Sequence, residues 1–166
     1  PKWFLGRDEY LREIAGEIKI PVLRKDFTVD EYMIYEAKIL GASAVLLIVS
    51  ILSEKQLRDY IEICSSLGLS ALVEVHDENE AKIAISSGAK IIGVNNRNLK
   101  DFSVDTQNSA NLRGKIPPEI LFVSESGVKN SDDIKKLINI GADAVLIGET
   151  MMKAEDKKAA FLMLKS

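Results

Sequence analysis

The side chains of this chain that could do chemistry share one placement, at the end of an apolar run. Val22-Leu23-Arg24 leads to Lys25 and Asp26, and Ala71-Leu72-Val73 leads to Glu74. Ile91-Ile92-Gly93-Val94 leads to Asn95-Asn96-Arg97, Ile120-Leu121-Phe122-Val123-Ser124 to Glu125-Ser126-Gly127, and Ala144-Val145-Leu146-Ile147 to Gly148-Glu149. An uninterrupted apolar run reads as a strand buried on both faces, as in a parallel sheet. Such a strand tolerates a carboxylate only where it emerges, because desolvating an unpaired charge is costly. All the runs go from apolar to polar in the same chain direction. A parallel sheet therefore gathers their ends at one rim.

Each rim residue has a chemical reading and a bland one. Lys25 suits a proton donor or an anion binder; a snorkelling lysine in a salt bridge competes with this. Glu74 follows Ala-Leu-Val so closely that an acid/base role is the sharper reading. Asn95 supplies hydrogen bonds without titrating, and capping the following loop is the alternative. Glu125 and Ser126 share a strand end with Gly127, and Gly148 with Glu149 stands in the equivalent place one unit later. Glycines there let backbone N–H groups approach an anion, helped by a short helix expected at 149–153; glycine also serves plain tight turns. His76 is the only histidine and sits in a polar stretch, so it is expected at the surface without a partner. There is no metal-ligand spacing, no G-x-G-x-x-G and no P-loop, which leaves proton transfer and electrostatic stabilisation.

The elements that hold these residues follow from periodicity and punctuation. Strands are expected at 22–27, 44–49, 71–75, 90–95, 120–124 and 144–147. A first helix is expected from Asp8, with Leu11, Ile14, Ala15 and Ile18 on its buried face. Thr28/Glu31, Ser53/Gln56 and Asp77/Glu80 have the form of capping boxes for the next three helices, and Asn130 or Ser131 caps a later one. A weaker helix is expected over 105–112 and a terminal one from about 156. Gly41-Ala42, Gly68-Leu69, Gly88-Ala89 and Gly141-Ala142 repeat at helix ends, where glycine suits the left-handed position. Six βα units with right-handed crossovers allow an open doubly wound sheet or part of a (β/α)₈ barrel, which takes about 250 residues.

Composition sets wider bounds. The chain has 166 residues, 46% of them hydrophobic and 28% charged, which is one ordinary globular domain. A net charge of −3 with dispersed lysine and arginine argues against a nucleic-acid surface. The apolar run at 42–52 is shorter than the roughly 20 residues of a membrane helix, so no membrane partner is expected. The single cysteine, Cys64, excludes an intrachain disulfide, suits a reducing cytoplasmic setting and reads as a small core residue.

In combination and order, Pro21-Val22-Leu23-Arg24-Lys25-Asp26-Phe27, Leu72-Val73-Glu74-Val75-His76, Ile92-Gly93-Val94-Asn95-Asn96-Arg97, Val123-Ser124-Glu125-Ser126-Gly127 and Leu146-Ile147-Gly148-Glu149 closely resemble the indole-3-glycerol phosphate synthase family. The resemblance covers essentially the whole chain. It implies a (β/α)₈ barrel and a carbon–carbon lyase of tryptophan biosynthesis that needs no cofactor or metal. The implied reaction closes a ring on 1-(2-carboxyphenylamino)-1-deoxyribulose 5-phosphate, then loses CO₂ and water to give indole-3-glycerol phosphate. By similarity Lys25 is the lysine that assists ring closure and Glu74 the acid/base of dehydration. Asn95, Glu125 and Ser126 are catalytic or positioning residues. Phe4, Phe27 and Leu46 are walls around the substrate's aromatic ring, with Arg97 among the substrate contacts. Gly127, Gly148 and Glu149 bind the phosphate; some members of the family carry serine where Glu149 stands.

Counted against the family, the six strands are the third to the eighth. The resemblance therefore implies a single incomplete barrel domain over 1–166, lacking two strands and the residues that the first of them supplies. Little or no activity is expected of the chain by itself, since losing one member of a catalytic set costs orders of magnitude in rate. Unclosed strand edges lead to the expectation of a homo-oligomer. Another phosphate-binding barrel, such as phosphoribosylanthranilate isomerase, and a non-catalytic folding or assembly module are the alternative functions.

Overall fold

The computed structural model describes residues 6–97, 104, 105 and 107–165. Alternation along the apolar runs splits them between two layers, as the period of two requires. Val45, Leu47, Val73, Val75, Ile92, Val94 and Phe122 join one buried cluster with residues of the surrounding helices. Leu46, Ile48 and Leu72 form a second, with Leu23, Ile91, Val123 and Leu146 packed against it. The first layer lies between sheet and helices; the second lines the concave face.

The strands are β1 (Leu23–Arg24), β2 (Ala44–Ile48), β3 (Ser70–Val75), β4 (Ile91–Asn95), β5 (Leu121–Glu125) and β6 (Ala144–Leu146). All neighbours are parallel and the order in the sheet is the order in the chain. A doubly wound sheet reverses its strand order at a switch point; none is present here, so the sheet is a partial barrel. β1 and β6 are the outer strands and do not pair with each other.

The helices are α1 (Asp8–Glu17), α2 (Tyr32–Ile39), α3 (Glu54–Ser66), α4 (Glu78–Ser86), α5 (Gln107–Arg113), α6 (Ser131–Asn139), α7 (Glu149–Lys153) and α8 (Lys157–Lys165). Gly41, Gly68, Gly88 and Gly141 all have positive φ. After each, the next N–H closes back on a carbonyl five residues earlier, as in Ala42 to Ala37 at 2.9 Å and Ala89 to Ala84 at 3.1 Å. This is the Schellman ending that the repeated glycines imply. The Ser53/Gln56 box forms in both directions, and Asn130 caps α6 through the Asp133 N–H at 3.0 Å.

Four local expectations fail for physical reasons. Thr28 does not cap α2, because Asp30 lies closer to the helix start and accepts the Tyr32 N–H at 2.8 Å; Thr28 is buried instead. Asp8 does not cap α1 with its side chain, which pairs with Arg24 at 3.4 Å. The apolar stripe of α1 is largely uncovered, with Ile14 and Ile18 exposed and Leu11 only partly buried against the core. β1 is also shorter than the expected 22–27. Arg24 turns onto α2, donating to the Met33 carbonyl and to Glu36, and frees the chain from the ladder before Lys25.

Candidate active site at the strand ends

Alternation places Ile48, Glu74, Gly93, Asn95 and Glu125 on the concave side of the C-terminal rim, with Lys25 just beyond β1. Register sets their relative heights: Ile48 lies opposite Glu74, Glu74 opposite Gly93, and Asn95 opposite Glu125. Glu74 and Glu125 are each only 1% exposed. Lys25, which is half-exposed, reaches in from the open side, with Nζ 3.4 Å from Glu74 Oε2 and 3.5 Å from Glu125 Oε2. One ammonium thus serves two buried carboxyls.

Those carboxyls start from strands separated by β4, so their backbones stand two strand spacings apart, about 9–10 Å. They meet because β4 carries no side chain between them. A Cβ at Gly93 would stand 2.0 Å from Glu125 Oε1 and 3.2 Å from Leu72 Cδ1. Sequence reasoning passed over Gly93. The signal available was a glycine inside a buried strand, which marks a close approach.

The two carboxyls respond oppositely to their surroundings. Burial alone would raise Glu74, but His76, the Lys25 charge and Asn95 more than offset it and hold the group down at about 2. Burial, followed by repulsion from Glu74, pushes Glu125 up to about 7 against the smaller pull of Lys25. Two close carboxyls cannot both ionise cheaply. Here Glu74 carries the charge and Glu125 carries the proton below neutrality. Among the described residues, both Glu125 oxygens are buried without a hydrogen-bond partner.

His76 is not the partnerless surface residue expected from its polar surroundings. Its Nε2 lies 3.4 Å from Glu74 Oε1 and its Nδ1 3.1 Å from Glu80 Oε2. The Nε2 contact is an ion pair rather than a directed hydrogen bond. Glu80, expected to reach back to Asp77, accepts the His76 N–H instead, at 2.7 Å.

Asn95 does cap its loop, as Oδ1 accepts the Arg97 N–H at 2.9 Å, and the same atom accepts the Ser126 hydroxyl at 3.0 Å. Behind it, Asn96 and two serines form a buried network. The Asn96 amide donates to Ser124 Oγ at 3.0 Å and to the Ser126 carbonyl at 3.2 Å, and its Oδ1 accepts from both N–H and hydroxyl of Ser109. This network ties α5 to the ends of β4 and β5, and it was not legible from spacing. It holds Ser126 at φ +67°, with Gly127 at +89° immediately after. Strain of this kind in a residue other than glycine persists only where neighbours impose it.

The remaining predicted positions divide. Phe4 lies outside the described residues. Phe27 is exposed beyond β1, next to Asp26, whose carboxylate accepts its N–H at 2.9 Å. Leu46, opposite Leu72, lies one layer beneath the carboxyls and forms a floor; Ile48 stands at their height. Arg97 pairs with Glu149 at 2.5 Å, and Lys153 pairs with the other Glu149 oxygen at 2.6 Å. Lys153 first and Arg97 second hold the Glu149 carboxyl below its ordinary value. Gly148 has an ordinary φ of −109° and open space where a Cβ would stand, so neither strain nor packing demands glycine there.

The model of the family described as indole-3-glycerol phosphate synthase matches residues 1–164. The chain belongs to that family. The synthase of Ruminiclostridium cellulolyticum is 54% identical over 165 residues, covering 99% of this chain and 64% of that protein. The synthase of Lachnoclostridium phytofermentans is 54% identical over the whole chain and 61% of its own length, and that of Leuconostoc mesenteroides is 53% identical over 98% of this chain and 62% of its own. The chain therefore spans a little over three-fifths of these synthases. Among solved structures, thiamine phosphate pyrophosphorylase from Pyrococcus furiosus superposes with a TM-score of 0.67 at 17% identity, covering 99% of this chain and 90% of that one. FabK from Thermotoga maritima gives 0.69 at 14% identity, covering 89% and 48%. At such identities these two show the fold alone.

Proposed function

We propose that this chain carries the greater part of an indole-3-glycerol phosphate synthase site. Its substrate is 1-(2-carboxyphenylamino)-1-deoxyribulose 5-phosphate, in the cytoplasmic synthesis of tryptophan. The observation that carries the reading is the Lys25 ammonium set between two buried carboxyls of unequal proton affinity. An acid and a base side by side suit a reaction that needs a proton both delivered and removed. Lys25 donates or stabilises charge during ring closure, and Glu74, already ionised, takes a proton during dehydration. Glu125, titrating near neutrality, supplies one. CO₂ leaves between these steps and water at the end. Both Glu125 oxygens lack a hydrogen bond, with only the Lys25 ammonium beside Oε2, and such a substrate would supply one.

Asn95 and Ser126 position the substrate from the adjoining strand end, over the floor made by Leu46 and beside Phe27. The substrate phosphate lies at the backbone of Gly127 and Gly148. Arg97 and Lys153 neutralise the carboxylate of Glu149, which would otherwise repel it. The test joins the unmatched N-terminal third of the R. cellulolyticum synthase ahead of Pro1 and follows indole-glycerol phosphate fluorescence. We expect turnover from the joined protein and almost none from the chain by itself. A folded chimera that binds substrate without turnover would refute the reading.

A second proposal concerns the unpaired outer strands. Exposed Ile14, Ile18, Tyr35 and Ile39 on α1 and α2, which flank β1, favour self-association of this chain. Light scattering after size exclusion tests this, and a monomer at every concentration would overturn it.

A further inference from the structure

The histidine beside the candidate site has no place in the roles assigned above, yet it is clasped from both sides. It lies at the junction between β3 and α4, two residues past Glu74 and four before Glu80. Glu80 Oε2 holds it twice, accepting the backbone N–H at 2.7 Å and Nδ1 at 3.1 Å. The Asn108 amide, from α5, donates to its carbonyl at 3.0 Å. These bonds fix the ring at the backbone and at one nitrogen, leaving Nε2 beside Glu74 Oε1, 3.4 Å away. The other Glu74 oxygen faces Lys25 at 3.4 Å.

We propose that His76 is a positioning residue: Glu80 anchors its imidazole so that Nε2 holds the Glu74 carboxylate in place, turned toward Lys25. Glu74 is then gripped at each oxygen by a different cation, one rigid and one reaching in from solvent. Without His76, the Glu74 carboxylate would keep only Lys25 and Asn95 to stabilise its charge beside Glu125. The clasp instead separates the roles of the pair. It keeps Glu74 the charged member and leaves the proton to Glu125.

The groups facing the ring are Glu74 from β3 and Glu80 from α4, with Asn108 of α5 at its carbonyl. Those facing Glu74 are His76, Lys25, Asn95 and Glu125. In agreement, Glu74 and then Glu80 raise the imidazole to about 9, overcoming the opposing effect of burial. Nε2 is itself buried. Its neighbour across the 3.4 Å gap is Glu74, and it acts through that carboxylate.

The inference rests on the rim being the synthase site, but its test does not require turnover. With one histidine in the chain, ring-labelled protein gives a single imidazole signal. NMR titration of this chain should show that ring charged at neutral pH and deprotonating near 9. Glu80→Gln should lower that midpoint by at least about one pH unit and raise the Glu74 side-chain carboxyl midpoint by a similar amount. His76→Gln, which keeps an N–H donor of similar reach, should restore part of the Glu74 shift relative to His76→Leu. In the joined protein, Glu80→Gln should move the acid limb of kcat/KM upward with KM nearly unchanged. A purely structural cap would change stability and leave these midpoints where they were. A wild-type ring titrating near its ordinary 6.5, or a Glu74 midpoint indifferent to both substitutions, overturns the proposal. An inactive chimera with the midpoints as expected would instead count against the synthase reading only.

Discussion

Adding a single methyl group at position 93 should expel Glu125 from its seat. The new Cβ would stand 2.0 Å from Glu125 Oε1 and 3.1 Å from Cδ. Ordinary contacts are about 3.5–4 Å, so the carboxyl must retreat by roughly 1.5 Å. Leu72 Cδ1 would stand 3.2 Å from the same new atom, so the methyl is crowded on a second side, and the retreat also disturbs the Lys25 contact at 3.5 Å. Overpacking a well-filled site costs about 1–3 kcal/mol, or roughly 2–12 °C in melting temperature for a chain of this size. The assay is a double-mutant cycle by urea unfolding, comparing Gly93→Ala in the native background and in Glu125→Ala. With the carboxyl gone the methyl fills the space it left, so the coupling should exceed about 1 kcal/mol.

The pH dependence gives an independent reading. Glu125 binds its proton more tightly folded, at about 7, than its ordinary 4.5. Its contribution is thus fully present below about 4.5 and is lost as pH rises through about 7. Gly93→Ala, by moving the carboxyl toward solvent, should flatten that decline. Equal cost of Gly93→Ala in both backgrounds, with the decline intact, would refute the steric account.

The Cys64 thiol is buried and pushed up to about 11 by desolvation, so a disulfide reagent at pH 8 should modify it only at the rate of unfolding; rapid labelling of native protein would contradict this. Asn96→Ala removes the centre of the buried Ser109–Ser124 network and should cost about 1–3 kcal/mol by leaving donors and acceptors unpaired, which an unchanged urea midpoint would disprove. Gly148→Val should abolish inorganic phosphate binding by calorimetry with little loss of stability, since open space surrounds that position; unchanged binding would remove Gly148 from the phosphate site.

Much of the fold was legible because its signals are local. Apolar runs, the Ser53/Gln56 box and the glycines ending helices are each decided by a few neighbouring residues. Glu74 and Glu125 were legible as rim residues for a related reason, since a buried strand can release a carboxylate only at its end. Their meeting was not. It depends on a register shared by β3, β4 and β5 and on a side chain that Gly93 lacks. His76 was misread because its partners come from two directions, Glu74 back along the strand and Glu80 forward on a helix that had yet to be placed. The stripe on α1 was correctly periodic, but periodicity says which face is apolar and not whether anything covers it. Thr28 lost the α2 cap to Asp30, a competition between nearby acceptors that spacing does not rank.

On the proposed function, the ammonium between the two buried carboxyls is the working part of a synthase site. That role is tested most directly by Lys25→Met in the protein joined to the R. cellulolyticum N-terminal third, measured as single-turnover formation of indole-glycerol phosphate. The substitution keeps most of the side chain's bulk and removes its charge. The rate should fall at least about 100-fold, with substrate still bound and the fold intact. A rate within a few-fold of the unsubstituted protein would contradict that role.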